Sequence, residues 1–558
     1  MDAMGYLHYP TPIRVADPQH AFHSTSVTVF TRHRRRPARC VTIAAVTPES
    51  LTRLVHDFLE SSASGAVLED GAVVFDLARA KYSVSGEHNK CLLHVWSAER
   101  NFVRHVVDAE LKDGSLRLAV RRLGQSRPAR IEICRHRDPR SPSSKRSARL
   151  AYQHKLRRAL DRHCPDLPVV HMTTGSDLEK SFGPIYARGL MRRARSAFAV
   201  LGVNDQESQS SVDAALTFGI LWLEECRRTQ ASKCVVEGLK LVVPWGRSAL
   251  TRERMAGLNR SAAKWSLHEF HEAHDTLTEM DCSDRGNLRT RLVHSVDQAD
   301  VRQRFSAAIA QVETAAPNCE VEVLSSAEVA FCCRGLEFAR ARIATEPGSF
   351  RAAEEIVFGI GPEPPRLLNS ANQTSFRDLA AHLREIRHPY GPKQHPLWKL
   401  APERWLESLV AADVRALDDR LNPAFVYSQI PAFTASDRAM LDVLTCTRGN
   451  RIVVIELKAD EDIHLPMQGL DYWARVAWHH QRNEFARFGY FPGVPLSVQE
   501  PQLMLVAPSL RIHPATDTLL RYLSPEVEWE LLGLGEHWRE EIKVVFRKRP
   551  AERHISAA

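Results

Sequence analysis

The feature that most constrains the fold is a run of β-branched residues that ends in charged residues, RIVVIELK at residues 451–458. An apolar run of this length without polar alternation is typical of a strand that is buried on both faces of a sheet. Glu456 and Lys458 are two residues apart, so their side chains point to the same face of that strand. The chain is therefore predicted to build a sheet in which a buried strand ends in a Glu–Lys pair.

A second predicted strand, residues 439–446, precedes this one, and the loop between them decides which side chains face each other. With a two-residue loop, Asp442 would lie opposite Leu457 and point to the wrong face. With a three-residue loop, residues 448–450, Asp442 would lie opposite Glu456, with the two Cβ atoms roughly 4.5–5.5 Å apart. The three-residue loop is the one that would bring the two carboxylates together.

Two directly opposed carboxylates need a partner. They repel each other unless a cation or a proton lies between them. Mg²⁺ is the natural occupant because it is a hard cation that prefers carboxylate oxygens, and Mn²⁺ can take its place. Asp442 and Glu456 are therefore predicted to be metal ligands, with Lys458 beside them.

A helix is predicted after the strand, starting near Pro466, a residue that suits a first helical turn. On this helix Gln468, Tyr472, Arg475 and His479 recur at helical spacing. They are therefore predicted to form one polar stripe along the helix.

This segment resembles the PD-(D/E)xK, or restriction-endonuclease-like, nuclease superfamily. The residues that carry the resemblance are Asp442, the triplet Glu456-Leu457-Lys458, Gln468 and Tyr472. The order of helix, hairpin, strand and helix is similar to that of NucS-type endonucleases, and the Gln-xxx-Tyr helix is similar to that of RecB-type nucleases. The resemblance covers residues 398–549 and implies an α/β domain with a mixed central sheet.

The resemblance also implies a catalytic set. The aspartate and glutamate of such a site hold Mg²⁺, the lysine positions or activates the attacking water, and an acidic residue on a helix before the hairpin often assists. The predicted catalytic residues are Asp442, Glu456, Lys458, Gln468, Tyr472 and Glu407. The chain departs from the written motif at one position, where Leu441 stands in place of proline.

The whole chain is predicted to be a multidomain α+β protein, because 558 residues exceed the size of one ordinary domain. Four parts are expected: a tail at 1–37, a small α+β module at 40–137, a mainly helical region of unknown role at 148–385, and the nuclease-like domain at 398–549. A Pro-rich stretch at 388–402 is the predicted boundary before the last part.

Positive charge is concentrated in the first half of the chain. Residues 131–200 carry a net charge of +9, whereas residues 398–549 carry −3. A basic segment of this kind favours a polyanion partner, and the predicted nucleic-acid contacts are Arg192, Arg193, Arg195 and Arg475. The alternative is that the basic residues form an ordinary solvated surface.

The function predicted from these residues is a Mg²⁺-dependent endonuclease that hydrolyses phosphodiester bonds in DNA. Two alternatives stay open: an inactive nuclease-fold protein that binds DNA or acts as a scaffold, and a nuclease that processes RNA. No GxxxxGK[ST] motif occurs, which argues against an ATP-driven translocase within this chain. A homodimer is compatible with the prediction.

Cytoplasmic localisation is expected. The chain has no apparent secretory signal, no apolar stretch near the ~20 residues that span a bilayer, and 11 cysteines without a CxxC pair.

One further motif, HEFHEAHD at residues 268–275, suggests zinc at first sight. Its histidines are three residues apart rather than at the HExxH spacing, so it is predicted to be a surface helix.

Overall fold

The computed structural model describes most of the chain. The described residues are 27–29, 41–43, 47–62, 65–69, 72–77, 80–86, 90–96, 101–112, 115–121, 129–135, 142–177, 182–283, 288, 290–345, 352–361, 364–433 and 438–550. The predicted tail at 1–37 lies outside them except for Val27–Val29. The chain divides into two compact units, a smaller one of residues 16–158 and 173–187, and a larger one that includes residues 159–172 and 188–558.

The smaller unit is built on an antiparallel sheet of seven strands in the order β4-β3-β9-β8-β7-β6-β5, with helix α1 against it. Its core joins Val55 and Phe58 of the helix to Leu93 and Val95 of the sheet. The elements are β1 (Val27–Val29), β2 (Val41–Ile43), α1 (Pro48–Glu60), β3 (Ala66–Glu69), β4 (Ala72–Asp76), β5 (Lys81–Ser85), β6 (Cys91–Trp96), β7 (Asn101–Lys112), β8 (Ser115–Arg121), β9 (Ala129–Cys134) and the first part of α2 (Pro142–His163).

The larger unit contains three sheets, and the first has six strands in the order β10 to β15. Strand β13 is parallel to both of its neighbours, β12 and β14, and β15 returns antiparallel to β14. The elements are β10 (Val169–Thr173), β11 (Tyr186–Arg193), β12 (Ser196–Val203), α3 (Gln209–Asp213), α4 (Ala215–Gln230), β13 (Val235–Pro244), α5 (Ala249–Ala256), β14 (Lys264–His271) and β15 (Thr276–Met280).

The second sheet has five antiparallel strands with helices packed against it. The elements are α6 (Gln298–Arg304), α7 (Ser306–Ala315), β16 (Glu320–Ser325), β17 (Glu328–Cys333), β18 (Leu336–Thr345), β19 (Ala352–Phe358), β20 (Arg366–Leu367) and α8 (Gln373–Ile386). The prediction that 148–385 is mainly helical is therefore wrong. Strand β18 shows why: Ala339 and Ala341 are buried while Arg340 is not, so helix-forming residues alternate between the two faces of a strand.

The third sheet, formed within residues 421–548, is mixed, as predicted for 398–549. Its six strands follow chain order from β21 to β26, parallel in the middle and antiparallel at both sides. The elements are α9 (Pro396–Lys399), α10 (Pro402–Ala412), β21 (Leu421–Phe433), β22 (Arg438–Thr447), β23 (Ile452–Leu457), α11 (Leu465–Gln481), α12 (Glu484–Arg487), β24 (Gln502–Pro508), α13 (Thr516–Leu520), β25 (Glu528–Leu534) and β26 (Val544–Lys548). The chain is thus an α+β protein with several sheets.

The segment that precedes helix α10 is held against the five-stranded sheet. The guanidinium of Arg387, which is 1% exposed, donates to the carbonyl oxygens of Cys333, Arg334, Leu397 and Leu400 at 2.6–3.0 Å. These bonds fix the Pro-rich stretch at 388–402 to the end of β17. Residues 398–549 consequently belong to the same compact unit as the five-stranded sheet, and the stretch does not separate compact units.

None of the helices in the described part of the chain is both long and apolar enough to cross a bilayer.

The tight approach at Gly335 gives a prediction. Gly335 has φ +69°, and a Cβ there would lie 2.0 Å from the carbonyl oxygen of Arg404 in α10. Gly335→Ala therefore meets left-handed strain of about 1–2 kcal/mol and a backbone clash worth about 1–3 kcal/mol more. We expect the free energy of unfolding, measured with denaturant, to fall by the sum of these two contributions.

Gly493→Ala is the matched control, because Gly493 has φ +74° but no atom within 4 Å of its Cβ position. The free energy of unfolding of this variant should fall only by the cost of the left-handed backbone conformation. Equal losses in the two variants would show that the contact between Gly335 and α10 carries no stability.

Candidate active site

The hairpin of β22 and β23 sets the register of the candidate site. Val443 lies opposite Ile455, and the loop between the strands comprises residues 448–450. Continuing that register by one residue places Asp442 opposite Glu456. The predicted three-residue loop and the predicted pairing of the two carboxylates are therefore confirmed.

Glu456 is the most deeply buried acid of the site, with 2% of its surface exposed. Its Oε1 lies 3.3 Å from Nζ of Lys458. Its Oε2 is buried and has no hydrogen-bond partner among the residues that the structure describes. Burial raises the pKa of Glu456 well above its usual range, and the neighbouring Asp442 raises it further.

Asp442 is held by the backbone of the opposite strand. Its Oδ2 accepts a hydrogen bond from the Leu457 N–H at 2.8 Å. Burial raises the pKa of Asp442, and the Leu457 hydrogen bond and the charge of Lys458 oppose that rise. Since both carboxyl groups have raised pKa values, the pair favours sharing a proton when no cation lies between them.

Lys458 carries a fixed positive charge into the site. Burial opposes that charge, but the carboxylates of Glu456 and Glu403 outweigh burial and raise the pKa of Lys458. Nζ lies 3.7 Å from Oε2 of Glu403. The ammonium is thus protonated at neutral pH and is suited to donating hydrogen bonds rather than accepting a proton.

Glu407 reaches the site from α10, as predicted, and is 4% exposed. Its Oε2 accepts hydrogen bonds from Arg404 at 2.6 Å and from Gln429 at 2.7 Å. Its Oε1 is buried, with no partner in the described part of the chain. Burial, opposed by the charge of Arg404 and reinforced by that of Asp442, raises the pKa of Glu407 to about 7.

Glu403 is an acidic residue of this site that sequence reasoning missed. Burial raises its pKa, and the charges of Asp442, Asp462 and Asp460 add to that rise. Glu403 precedes Glu407 by four residues on α10, so both lie on one helix face. The helical spacing was the signal that could have identified it.

Helix α11 brings Tyr472 towards the carboxylates. Burial raises the pKa of Tyr472, and the charges of Glu456 and Asp442 raise it further, which places the phenol close to the pair. Gln468 lies one turn earlier, and its Oε1 is buried without a hydrogen-bond partner among the described residues.

The rest of the predicted stripe on α11 does not face solvent. Arg475 is 4% exposed, and its guanidinium contacts the carbonyl oxygen of Asp471 at 2.7 Å and the carboxylate of Glu253 at 3.4 Å. His479 is 5% exposed and bonds Glu484. The burial of Arg475 contradicts its predicted role as a nucleic-acid contact, because a phosphate could not reach it.

The other predicted nucleic-acid contacts lie at the end of β11 and in the turn that follows. Arg193 and Arg195 are exposed and Arg192 is partly buried. Arg193 pairs with Asp166 at 3.1 Å, with both side chains largely in solvent. An exposed pair of this kind is weak, so these arginines are accessible to an anionic partner.

The site is therefore an acidic cluster around the ammonium group of Lys458, in which Glu456 and Glu407 are buried and Glu403 lies at the surface. Such a cluster of carboxylate oxygens can bind a hard divalent cation, which would replace the proton and offset the repulsion between the acids. No family model, curated protein or solved structure matches the chain. The chemistry of the site is consequently the basis for any functional conclusion.

The raised pKa of Glu407 predicts a pH dependence of stability. A carboxyl with a pKa of about 7 in the folded state and an ordinary value of 4.5 when unfolded stabilises the fold fully below about pH 4.5. That contribution is lost as the pH rises to about 7 and amounts to at most about 3 kcal/mol.

Glu407→Gln removes the titrating group, so the variant should gain stability relative to the wild type across this pH range. The measurement is urea unfolding at a series of pH values in the presence of a chelator. A stability difference that does not change with pH would contradict the assignment.

Proposed function

We propose that the chain is a metal-dependent endonuclease that hydrolyses phosphodiester bonds in DNA and uses Mg²⁺, or Mn²⁺ in its place. The observation that carries the proposal is the position of Glu456 opposite Asp442 in the hairpin. Its buried Oε2 has no hydrogen-bond partner among the described residues, and its Oε1 lies 3.3 Å from Nζ of Lys458. The order of helix, hairpin, strand and helix also resembles the PD-(D/E)xK nucleases.

The residues present fit a divalent cation. Asp442 and Glu456 would hold it, because a buried acidic oxygen without a partner is costly unless a cation or a proton satisfies it. When bound, Mg²⁺ supplies a Lewis acid that polarises a phosphate oxygen. Structural carboxylates of a solvated sheet edge would instead be exposed or fully paired.

The protonation state of Lys458 supports one role over another. With a pKa raised by its acidic neighbours, its Nζ cannot take a proton from water at neutral pH. It would orient the attacking water by donating a hydrogen bond and stabilise negative charge that develops on the phosphate. Glu407, with a pKa of about 7, is the acid of the site whose pKa is poised for proton transfer near neutral pH.

The exposed Arg193 and Arg195 would contact the phosphate backbone without reading sequence. This supports a polyanion substrate and does not distinguish DNA from RNA. DNA is proposed because the nuclease branches that the segment resembles act on DNA.

A cleavage assay tests the proposal. Asp442→Asn and Glu456→Gln each remove one charge from the cation site, so each should slow Mg²⁺-dependent cutting by about 100-fold or more. Lys458→Ala should cut as poorly as these variants. The matched control is Glu541→Gln with Lys543→Ala, a second Glu-x-Lys triplet whose two charged residues are exposed.

The assay is run on plasmid DNA, branched DNA and RNA, with Mg²⁺, Mn²⁺ or chelator. Arg193→Ala with Arg195→Ala should bind DNA less tightly yet cut at saturating substrate. If cutting persists in chelator or survives Asp442→Asn at the wild-type rate, the proposal is wrong. Preferential cutting of RNA would overturn the choice of DNA while keeping the site.

A further inference from the structure

A second group of side chains that could bind a metal ion lies where the end of helix α2 meets the sheet of strands β10 to β15. His163, His268 and Glu279 each offer one ligand atom, and these three atoms lie within 4.8 Å of one another. The group shares no residue with the Asp442 and Glu456 site. It is also independent of the proposed nuclease activity.

Three separate elements bring these residues together. His268 of β14 lies directly opposite Glu279 of β15, so their side chains point to the same face of the sheet. His163 is in the last turn of α2. The preceding residue, Arg162, donates to both the carboxylate and the carbonyl oxygen of Asp275 in the turn between the two strands. That contact fixes the end of the helix over the hairpin.

The burial of His268 and the absence of hydrogen-bond partners for its ring nitrogens among the described residues indicate a bound ligand. The residue is 0% exposed, and neither Nδ1 nor Nε2 has a hydrogen-bond partner among the described residues. A core histidine normally bonds through at least one ring nitrogen, because an unsatisfied buried polar atom is costly.

We infer that His163, His268 and Glu279 bind one divalent transition-metal ion, with Zn²⁺ as the best match. Two imidazoles and one carboxylate form a nitrogen-rich set that Zn²⁺ prefers and Mg²⁺ does not. The ion gives buried His268 the partner that it lacks and ties the end of α2 to both strands of the hairpin. Water completes the coordination, since His163 and Glu279 lie at the surface.

The ligand set also explains why the motif HEFHEAHD misled sequence reasoning. His268 lies in a strand, so the predicted surface helix at 268–275 is wrong. The neighbouring histidines of the motif do not take part. The other two ligands come from distant parts of the chain, and local spacing cannot reveal such a site.

The experiment measures zinc bound to the full-length chain after removal of metal with a chelator. Equilibrium dialysis against Zn²⁺ is followed by metal analysis, with Zn²⁺ itself as the probe. His163→Ala and Glu279→Gln change exposed residues and should fold, and each should bind one equivalent less than the wild type. Zinc should raise the melting temperature of the wild type more than that of either variant.

His274→Ala is the matched control, because His274 is an exposed histidine of the same motif outside the ligand group. It should bind as much zinc as the wild type. Asp442→Asn should also keep the full amount, which separates this site from the candidate active site. Equal zinc in His163→Ala, Glu279→Gln and the wild type would overturn the inference.

Discussion

The repulsion between the opposed carboxylates of Asp442 and Glu456 is the constraint on which the C-terminal part of the structure depends. Asp442 and Glu456 face each other because a three-residue loop fixes the register of β22 and β23. Their pKa values are raised because each acid is withdrawn from water. A sheet designed only for stability would place apolar residues at these positions, since a buried acid costs several kcal/mol unless it is paired or protonated. The free-energy cost of placing acids at these positions is consistent with a cation-binding site.

The surrounding elements hold the acids in place. Helix α10 carries Glu403 and Glu407 to the pair and is itself fixed against the five-stranded sheet, where Arg404 pairs with Glu322 at 2.8 Å and the backbone of Gly335 approaches closely. On the other side, α11 supplies Tyr472. Two sheets therefore define one site, and this is why residues 398–549 are not a separate compact unit.

Local patterns in the sequence predicted the parts of the structure that depend on local geometry. The hairpin register followed from loop length and strand spacing, whereas the mixed sheet and Glu407 were implied by the resemblance to the PD-(D/E)xK nucleases. Features that depend on distant contacts were not predictable. The burial of Arg475 results from its contact with Glu253 on α5, and His268 meets His163 only through the fold. The central region was predicted as mainly helical because its strands contain helix-forming residues, and only pairing with neighbouring strands overrides that preference.

Titration calorimetry of Mg²⁺ at neutral pH tests the central claim most directly, when it is performed in two buffers with different enthalpies of ionisation. Because burial and the neighbouring Asp442 raise the pKa of Glu456, a cation that enters should displace a proton from the carboxylate pair. Mg²⁺ binding should therefore be saturable, and the measured heat should depend on the buffer. Both the binding and the buffer dependence should disappear in Asp442→Asn and Glu456→Gln. Absence of saturable binding to the wild type, or unchanged binding to these variants, would contradict a cation site at the carboxylate pair.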